Sequence, residues 1–366
     1  MKLSAANITW LVAALTLLIL VALSACVPLT YHHYEGDYAG LERRLERAKI
    51  HGAAMHIVTV HGIGNHDVGY SDALAQGLAR QLRLLCLHDD VTNGLASSLG
   101  ATNWLREYTL SNDNRVIRFH EVTWTPTTTN IKAMAFSNDL TLNPHRVLFN
   151  KRFKETLMDQ SLPDAVLYMN PNFRPVMQEP ILQTMERVAS NTGPNDAIVL
   201  VAQSLGSKMT FDTALKYADD TNVVRFTAKM TDIIMLANQL PLLHLAMATD
   251  PSAPYSISNF VVLTRTNASK HFRKNNWDTN SEDYQLRIVA ATDPNDLLSY
   301  PLLRRDVAPS QNGETNDVRV AISNIYSHNA WSILFAFEDP LSAHNNYPEN
   351  EWLLKMLAHG YGGKDR

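Results

Sequence analysis

This chain has few cysteines and no excess of positive charge. Its 366 residues include only two cysteines, Cys26 and Cys86. Lysine and arginine (32) are outnumbered by aspartate and glutamate (36), and the formal net charge is −4. This balance lacks the basic surface by which proteins bind nucleic acid, so a nucleic-acid partner is not expected. Internal repeats and long low-complexity tracts are also missing, which argues against solenoids and disordered tails.

The composition is that of an ordinary globular protein. Hydrophobic residues make up 45% and charged residues 19%, and a chain of this length can bury a large core. Its length would suit two average domains, but single α/β domains are often this long. Three regions are expected: a leader at 1–25, a tether with a lead-in helix at 26–50, and one α/β domain at 51–366.

The leader has the pattern of a secretory signal. Lys2 precedes an almost wholly apolar stretch at 8–23, and the small residues of Leu23-Ser24-Ala25-Cys26 follow. The last four residues resemble the lipobox of bacterial lipoproteins, which implies that Cys26 becomes the lipidated first residue of the mature protein. Val27 follows where an aspartate would favour retention at the inner membrane, so the outer membrane is favoured. The alternative is an uncleaved membrane anchor.

Lipidation of Cys26 would leave Cys86 without a partner, so no internal disulfide is expected. Cys86 lies in a run of leucines, and we predict that it is a buried structural thiol on a helix that ends near residue 87.

Apolar, β-branched runs alternate with helical segments through the rest of the chain. The predicted strands are 55–60, 115–124, 163–168, 197–203, 231–236, 284–291 and 318–325. Such alternation predicts a mostly parallel sheet with helices on both faces and ligands at the carboxyl ends of the strands. Two stretches interrupt it, 125–160 and 242–283, the latter with an extra strand predicted at 260–263. They are expected to be lids or binding loops, or else peripheral subdomains.

The stretch around Ser204 is the first candidate site. An apolar run, 197–202, passes through Gln203-Ser204-Leu205-Gly206 into a segment with helical spacing. A strand, a sharp turn with serine at its tip and a helix form the context of a nucleophile elbow. Ala202 stands where the usual motif has glycine, and the alternative is a serine that merely caps the helix.

Three further motifs accompany Ser204. His61-Gly62-Ile63-Gly64 follows an early strand, and the acidic turn Asp293-Pro294-Asn295-Asp296 follows a late one. Beyond that turn lie two histidines with suitable surroundings, His328 and His344. In this order the four motifs resemble those of α/β-hydrolases, from about residue 56 to the end of the chain. The resemblance implies that fold, with one or two insertions.

The resemblance also implies a triad. Ser204 would be the nucleophile, Asp296 the acid and His344 the base, with Asp293 and His328 as the alternates. The oxyanion hole would be formed by the N–H of Leu205 with that of Gly62 or Ile63.

The expected function is that of a membrane-tethered serine hydrolase of the bacterial envelope, acting on carboxylic esters such as lipid or phospholipid acyl esters. No metal or organic cofactor is expected. An acyltransferase or amidase using the same triad is the alternative among enzymes. A noncatalytic envelope lipoprotein that retains the fold is the alternative from another class.

Overall fold

A mixed nine-stranded sheet forms the centre of the molecule. The computed structural model describes residues 12–18, 31–247, 256–274, 285–307, 320–329, 332–333 and 337–362. The sheet strands are β1 (His32–Glu35), β2 (Met55–Val60), β3 (Leu85–Ala96), β4 (Thr102–Asn112), β5 (Arg115–Thr123), β6 (Ala197–Gln203), β7 (Met230–Leu236), β8 (Leu286–Thr292) and β9 (Val320–Ser327). Their order across the sheet is β1-β9-β8-β7-β6-β2-β5-β4-β3. A separate two-stranded ribbon pairs β10 (Ser332–Ile333) with β11 (Phe337–Glu338).

Helices cover both faces of this sheet. They are α1 (12–18), α2 (Gly40–Ile50), α3 (Asp72–Leu82), α4 (Pro126–Leu140), α5 (Leu148–Phe153), α6 (Leu162–Met169), α7 (Arg174–Asn191), α8 (Leu205–Lys216), α9 (Thr221–Ala228), α10 (Leu240–Met247), α11 (Ser256–Lys274), α12 (Arg304–Val307), α13 (Pro340–Asn345) and α14 (Glu351–His359). Short 3₁₀ turns occur at Asn143–His145 and Tyr347–Glu349, and Lys154–Ser161 is π-helical.

Parallel pairing runs without a break from β9 to β5, and antiparallel pairing is confined to the two sides of the sheet. The prediction of an α/β protein with a mostly parallel sheet and helices on both faces is therefore confirmed. The parallel strands all end at one edge, which we call the carboxyl edge, and the opposite edge is the amino edge. The loops that follow β2, β6, β7 and β8 meet at the carboxyl edge.

Two apolar cores sandwich the central strands. In β6, Ile198, Leu200 and Ala202 face one core, and Val199 and Val201 face the other. Helices α7, α8, α9 and α11 close the first core, and α2, α3 and α14 close the second. Because each strand has a core on both sides, its sequence is continuously apolar rather than alternating.

Two predicted strands are wrong. The stretch 163–168 lies within α6, where Pro163 occupies the first turn and Asp164 complements the helix dipole. The stretch 260–263 lies within α11. The buried residues of that helix follow a helical spacing of three and four, which four residues in isolation could not reveal (Ile257, Phe260, Val261, Thr264, Ala268).

The pair β3 and β4 was not predicted. Helix α3 ends at Leu82 because Arg83 takes a left-handed conformation with φ 54°, and Leu84 N then donates to Ala79 O at 2.9 Å. The chain continues as β3, so the prediction that Cys86 lies on a helix is wrong. Residues 32–35, expected within the tether, form the edge strand β1.

The first insertion, 125–160, is helical and contains α4, α5 and most of the π-helical segment. The second, 242–283, contains the end of α10 and all of α11, and its remaining residues lie outside the described ranges, as does Cys26. Within the described ranges no helix is long and apolar enough to cross a membrane.

Candidate active site

Ser204 lies at the tip of a strained turn between β6 and α8. Its backbone has φ 53° and ψ −124°, a region that non-glycine residues rarely occupy and that costs about 1–3 kcal/mol. Ser204 N donates to Leu236 O at 2.8 Å, which ties the turn to the end of β7. The side chain makes no capping hydrogen bond to α8. The alternative of a serine that only caps the helix is therefore wrong.

Two glycines allow the chain to approach this turn closely. A Cβ added at Gly62 would lie 2.6 Å from Ser204 Cβ, and one added at Gly206 would lie 2.6 Å from the carbonyl oxygens of Val60 and His61. Any larger residue at either position would push the loop after β2 away from the start of α8. The predicted His-Gly loop and the serine turn are thus in direct contact.

His61 fixes the orientation of the Gly62 carbonyl. Its Nδ1–H donates to Gly62 O at 2.9 Å, while its Nε2 accepts from Trp124 N at 3.2 Å. Burial, with a smaller effect of nearby His66, lowers the pKa of His61 well below its usual value, so the ring is neutral. His61 is a positioning residue with both ring nitrogens occupied.

The fixed Gly62 carbonyl also determines the direction of one N–H. In a trans peptide the carbonyl and the following N–H point in opposite directions, so the N–H of Ile63 points away from His61. Neither this N–H nor that of Leu205, the first residue of α8, donates to a protein acceptor in the described part of the chain. Both donors are therefore left without a protein acceptor among the described residues.

Asp296 and His344 form a hydrogen-bonded pair in the protein interior. His344 Nδ1 lies 2.9 Å from both carboxylate oxygens of Asp296. Gln203, the neighbour of Ser204, donates from Nε2 to His344 O at 3.2 Å, which holds the histidine beside the serine turn. His344 belongs to α13, so the predicted loop at this position is a short helix. The structure brings the three predicted triad positions to one place.

Tyr347 binds the carboxylate of Asp296. Its hydroxyl donates to Asp296 Oδ2 at 3.0 Å, and Leu298 N donates to Asp296 Oδ1 at 3.0 Å. Burial and the adjacent Asp296 raise the pKa of Tyr347 well above its usual value, so the phenol keeps its proton for this bond. The Tyr347 oxygen also accepts from Asp293 N at 2.7 Å, which connects both ends of the acidic turn.

The two alternates have other contacts. Asp293 accepts from Asn295 N at 2.8 Å and from Asn329 N at 2.5 Å, the pattern of an aspartate that caps a turn. His328 lies 3.4 Å from the Asn295 side chain through Nε2, and its ring packs near that of Tyr31. Asp296 and His344, by comparison, bind each other directly through Nδ1 and the carboxylate.

Helix α6 and the first insertion together hold the loop after β2. Asp164 of α6 accepts from Gly64 N at 2.8 Å and forms a buried ion pair with Lys132 of α4 at 2.9 Å. Burial raises the pKa of Asp164 and lowers the pKa of Lys132. Both shifts reflect the cost of removing a charge from water, which the attraction between the two side chains offsets. The loop that carries Gly62 and Ile63 is thereby clamped by helices outside the sheet.

The same insertion also reaches the histidine. Arg152 of α5 pairs at 3.1 Å with Asp339, which caps the N-terminus of α13. The insertion is therefore linked to the loop after β2, through Lys132 and Asp164, and to the element that carries His344, through Arg152 and Asp339. Ser204 is only 1% exposed, and its Oγ is buried and makes no hydrogen bond in the described part of the chain, not even to His344.

Sequence patterns did not reveal the supporting residues. Gln203, Lys132 and Asp164 are ordinary polar residues whose partners are distant in sequence, so no spacing could have paired them. Tyr347 lies three residues after His344, and a tyrosine so close to the histidine was the only available signal.

The groups around Ser204 are suited to one kind of reaction. A hydroxyl on a strained turn, an imidazole oriented by a carboxylate and two unengaged backbone N–H groups are the components of nucleophilic acyl transfer. Among the described residues, no group of three His, Cys, Asp or Glu side chains is arranged to hold a metal ion. Comparisons with protein-family models, curated proteins and solved structures found no match to this chain.

Proposed function

We propose that this protein is a serine hydrolase of the α/β-hydrolase fold that cleaves carboxylic esters through an acyl-enzyme. The observation that carries the proposal is the pairing of His344 with both oxygens of Asp296 beside the strained turn of Ser204. A capping serine and a structural histidine would have no need of this joint arrangement.

The geometry supports one assignment of roles. His344 Nε2 makes no hydrogen bond in the described part of the chain, so it is available to accept the Ser204 proton when the substrate aligns the two groups. Asp296 fixes the tautomer, because its carboxylate binds the proton on Nδ1. Ser204 Oγ attacks the acyl carbon, and His344 then returns the proton to the departing alcohol. Water activated by the same histidine releases the acyl group.

The oxyanion is stabilised by two backbone donors, the N–H of Ile63 and that of Leu205. Loss of one donor of this kind typically lowers kcat by about 10²–10³-fold. No metal or organic cofactor enters this mechanism, since every proton and charge is assigned to a residue of the chain.

The leader supports an envelope location. The lipobox-like Leu23-Ser24-Ala25-Cys26 follows an apolar stretch, and we propose that lipid on Cys26 anchors the exported domain to a bacterial membrane, with the outer membrane favoured. Acyl esters of membrane lipids are then the nearest substrates.

Turnover of p-nitrophenyl esters by the mature protein tests the proposal. We expect hydrolysis by the wild type and a loss of at least about 10⁴-fold in kcat/KM for Ser204→Ala. Ser207→Ala, one turn along α8 from the site, is the matched control, because the Ser207 hydroxyl bonds only to Ala202 O. Equal rates for wild type and Ser204→Ala would exclude this nucleophile, and an inactive wild type would favour a noncatalytic role.

A further inference from the structure

The chain joins the sheet at the same edge as the candidate site. Strand β1 is antiparallel to β9, with His32 opposite Ser327. Strand β9 is parallel to β8, with Tyr326 opposite Thr292, the residue before the acidic turn. The first residues of β1 therefore lie level with that turn. His328 N also donates to Tyr31 O at 3.3 Å, which fixes the start of the described domain at the carboxyl edge.

The distance from this point to the lipid anchor is short. Five residue steps separate Cys26 from Tyr31, and even a fully extended chain of that length spans at most about 18 Å. A seven-residue strand such as β8 is about 23 Å long. A lipid on Cys26 therefore cannot reach past the sheet to place the amino edge against the membrane.

Exposed apolar side chains occur in the segments that follow the strands of the carboxyl edge. Val147 and Leu148 of the first insertion are 68% and 84% exposed, and Leu245 of α10 and Leu297, directly after the acidic turn, are similarly open. These residues lie in segments that follow β5, β7 and β8. Single exposed apolar residues are normal on a protein surface, but the adjacent pair Val147 and Leu148 is a candidate for contact with a protein or a membrane.

Of those two partners, the short reach of the anchor favours the membrane. The segment 145–154 carries four arginine or lysine side chains, but three of them are balanced within the protein, because they pair with Asp139 or Asp339 (Arg146, Arg152, Lys154). The proposed anchor at Cys26 holds the carboxyl edge near the bilayer, where exposed apolar side chains suit the boundary between headgroups and acyl chains.

We infer that the carboxyl edge, with the exposed Val147 and Leu148 of the first insertion, is a membrane-docking face that directs the Ser204 site at acyl esters in the bilayer holding the Cys26 anchor. The substrate half of this inference rests on the proposed hydrolase function. The orientation half rests on the anchor and the topology, and it can be measured without catalysis.

Depth-dependent fluorescence quenching measures the orientation. The lipidated full-length mature protein would be labelled at Leu148→Cys or at Ile50→Cys, in a Cys86→Ser background, and bound to phosphatidylethanolamine and phosphatidylglycerol vesicles containing spin-labelled lipid. Ile50 is the matched control, since it is 78% exposed and ends α2 at the amino edge. We expect at least twofold stronger quenching at position 148. Equal or reversed quenching would overturn the orientation whatever the activity.

A charge-reversal series measures the substrate half and needs no cysteine variants. Val147→Glu/Leu148→Glu should lower hydrolysis of a vesicle-embedded acyl ester by about tenfold and leave a soluble p-nitrophenyl ester within twofold of wild type. Ile50→Glu should change neither rate. An unchanged vesicle rate in the double variant would overturn the docking face.

The two proposals fail in different ways. A wild type that cleaves the soluble ester but no vesicle ester overturns the membrane substrate alone. A wild type that cleaves neither overturns the hydrolase function and the substrate half with it, while quenching still decides the orientation.

Discussion

A chain of histidines and carboxylates at the amino edge and the candidate site at the carboxyl edge differ in how completely their polar groups are hydrogen-bonded. At the amino edge, Asp196, His56, His120 and Glu107 form a continuous chain of hydrogen bonds with links of 3.1, 2.9 and 3.0 Å. Both ring nitrogens of each histidine are engaged. At the carboxyl edge, the polar groups of the candidate site are held in position, but some of them have no hydrogen-bond partner in the described residues.

Three groups of the candidate site have no hydrogen bond to the described part of the protein. Ser204 Oγ and His344 Nε2 make no hydrogen bond within the described residues, and the Ile63 N–H has no acceptor there. Buried polar groups are normally satisfied. A site that holds unsatisfied groups in fixed positions, on a strained turn, sacrifices stability for reactivity. The comparison indicates that the histidines of the amino edge serve stability, whereas His344 keeps one ring nitrogen for the proton transfer of the proposed mechanism.

The largest expected effect separates the two histidines of the carboxyl edge. His344→Ala should lower kcat/KM for a p-nitrophenyl ester by at least about 10³-fold, because it removes the proposed base. His328→Ala should stay within threefold, since it is His344 that binds the carboxylate of Asp296. Steady-state kinetics of the two purified variants measure this, and a reversed order would assign the base to His328.

A substitution at the amino edge should lower the stability of the protein rather than its activity. Asp196→Ala removes the acceptor for His56 Nε2 and for the N–H groups of Ala54 and Gly193. We expect a loss of about 2–4 kcal/mol in the free energy of unfolding, read from urea denaturation. The kcat of the folded fraction should be unchanged. A tenfold loss of kcat with wild-type stability would contradict the division between the edges.

Acid should weaken the amino edge through Glu107. Burial alone would raise its pKa, but hydrogen bonds from His120 and Arg187 prevail and lower it from 4.5 to about 2. A lowered pKa in the folded state gives stability that is present above the unfolded value and is lost as pH falls. Stability should therefore decline between about pH 4.5 and 2, and Glu107→Gln should flatten that decline in urea titrations. An unaltered slope would show that Glu107 does not contribute.

The smallest expected effect concerns the hydrogen bond from Tyr347 to Asp296, the proposed acid of the triad. Tyr347→Phe removes one of three donors to Asp296, a bond worth about 1 kcal/mol, so kcat should fall by roughly fivefold. The pH profile of kcat should also shift, because the carboxylate that orients His344 changes its proton affinity. Ser299→Ala, which removes the second neighbour of the Tyr347 hydroxyl and a 3.4 Å hydrogen bond to Asp293 O but no donor to Asp296, is the control. Unchanged kcat and pH profile in Tyr347→Phe would show that the tyrosine only fills space.

Much of the central sheet could be predicted from sequence. Strands buried on both faces, such as β2, β6 and β8, have continuous apolar runs that local patterns identify. Elements determined by distant contacts could not be found. The turn at Arg83 that starts β3 has no glycine to signal it, and the helical phase of α11 shows only over its full length.

The candidate site divides in the same way. Ser204, Asp296 and His344 stand at predicted strand ends, in an order that motifs can reveal. The clamp of Lys132 and Asp164 on Gly64 joins residues 100 positions apart in the chain, so only tertiary structure discloses it. Asp293 and Asp296 could not be separated by position alone; their hydrogen-bond partners separate them.

One measurement tests the central claim most directly. The mature wild-type protein would be treated with a fluorophosphonate, digested and analysed by mass spectrometry. We predict one covalent adduct, located on Ser204, absent from Ser204→Ala and strongly slowed in His344→Ala. An unmodified protein, or an adduct on another residue with Ser204 unmodified, would contradict the assignment of this turn as the nucleophile.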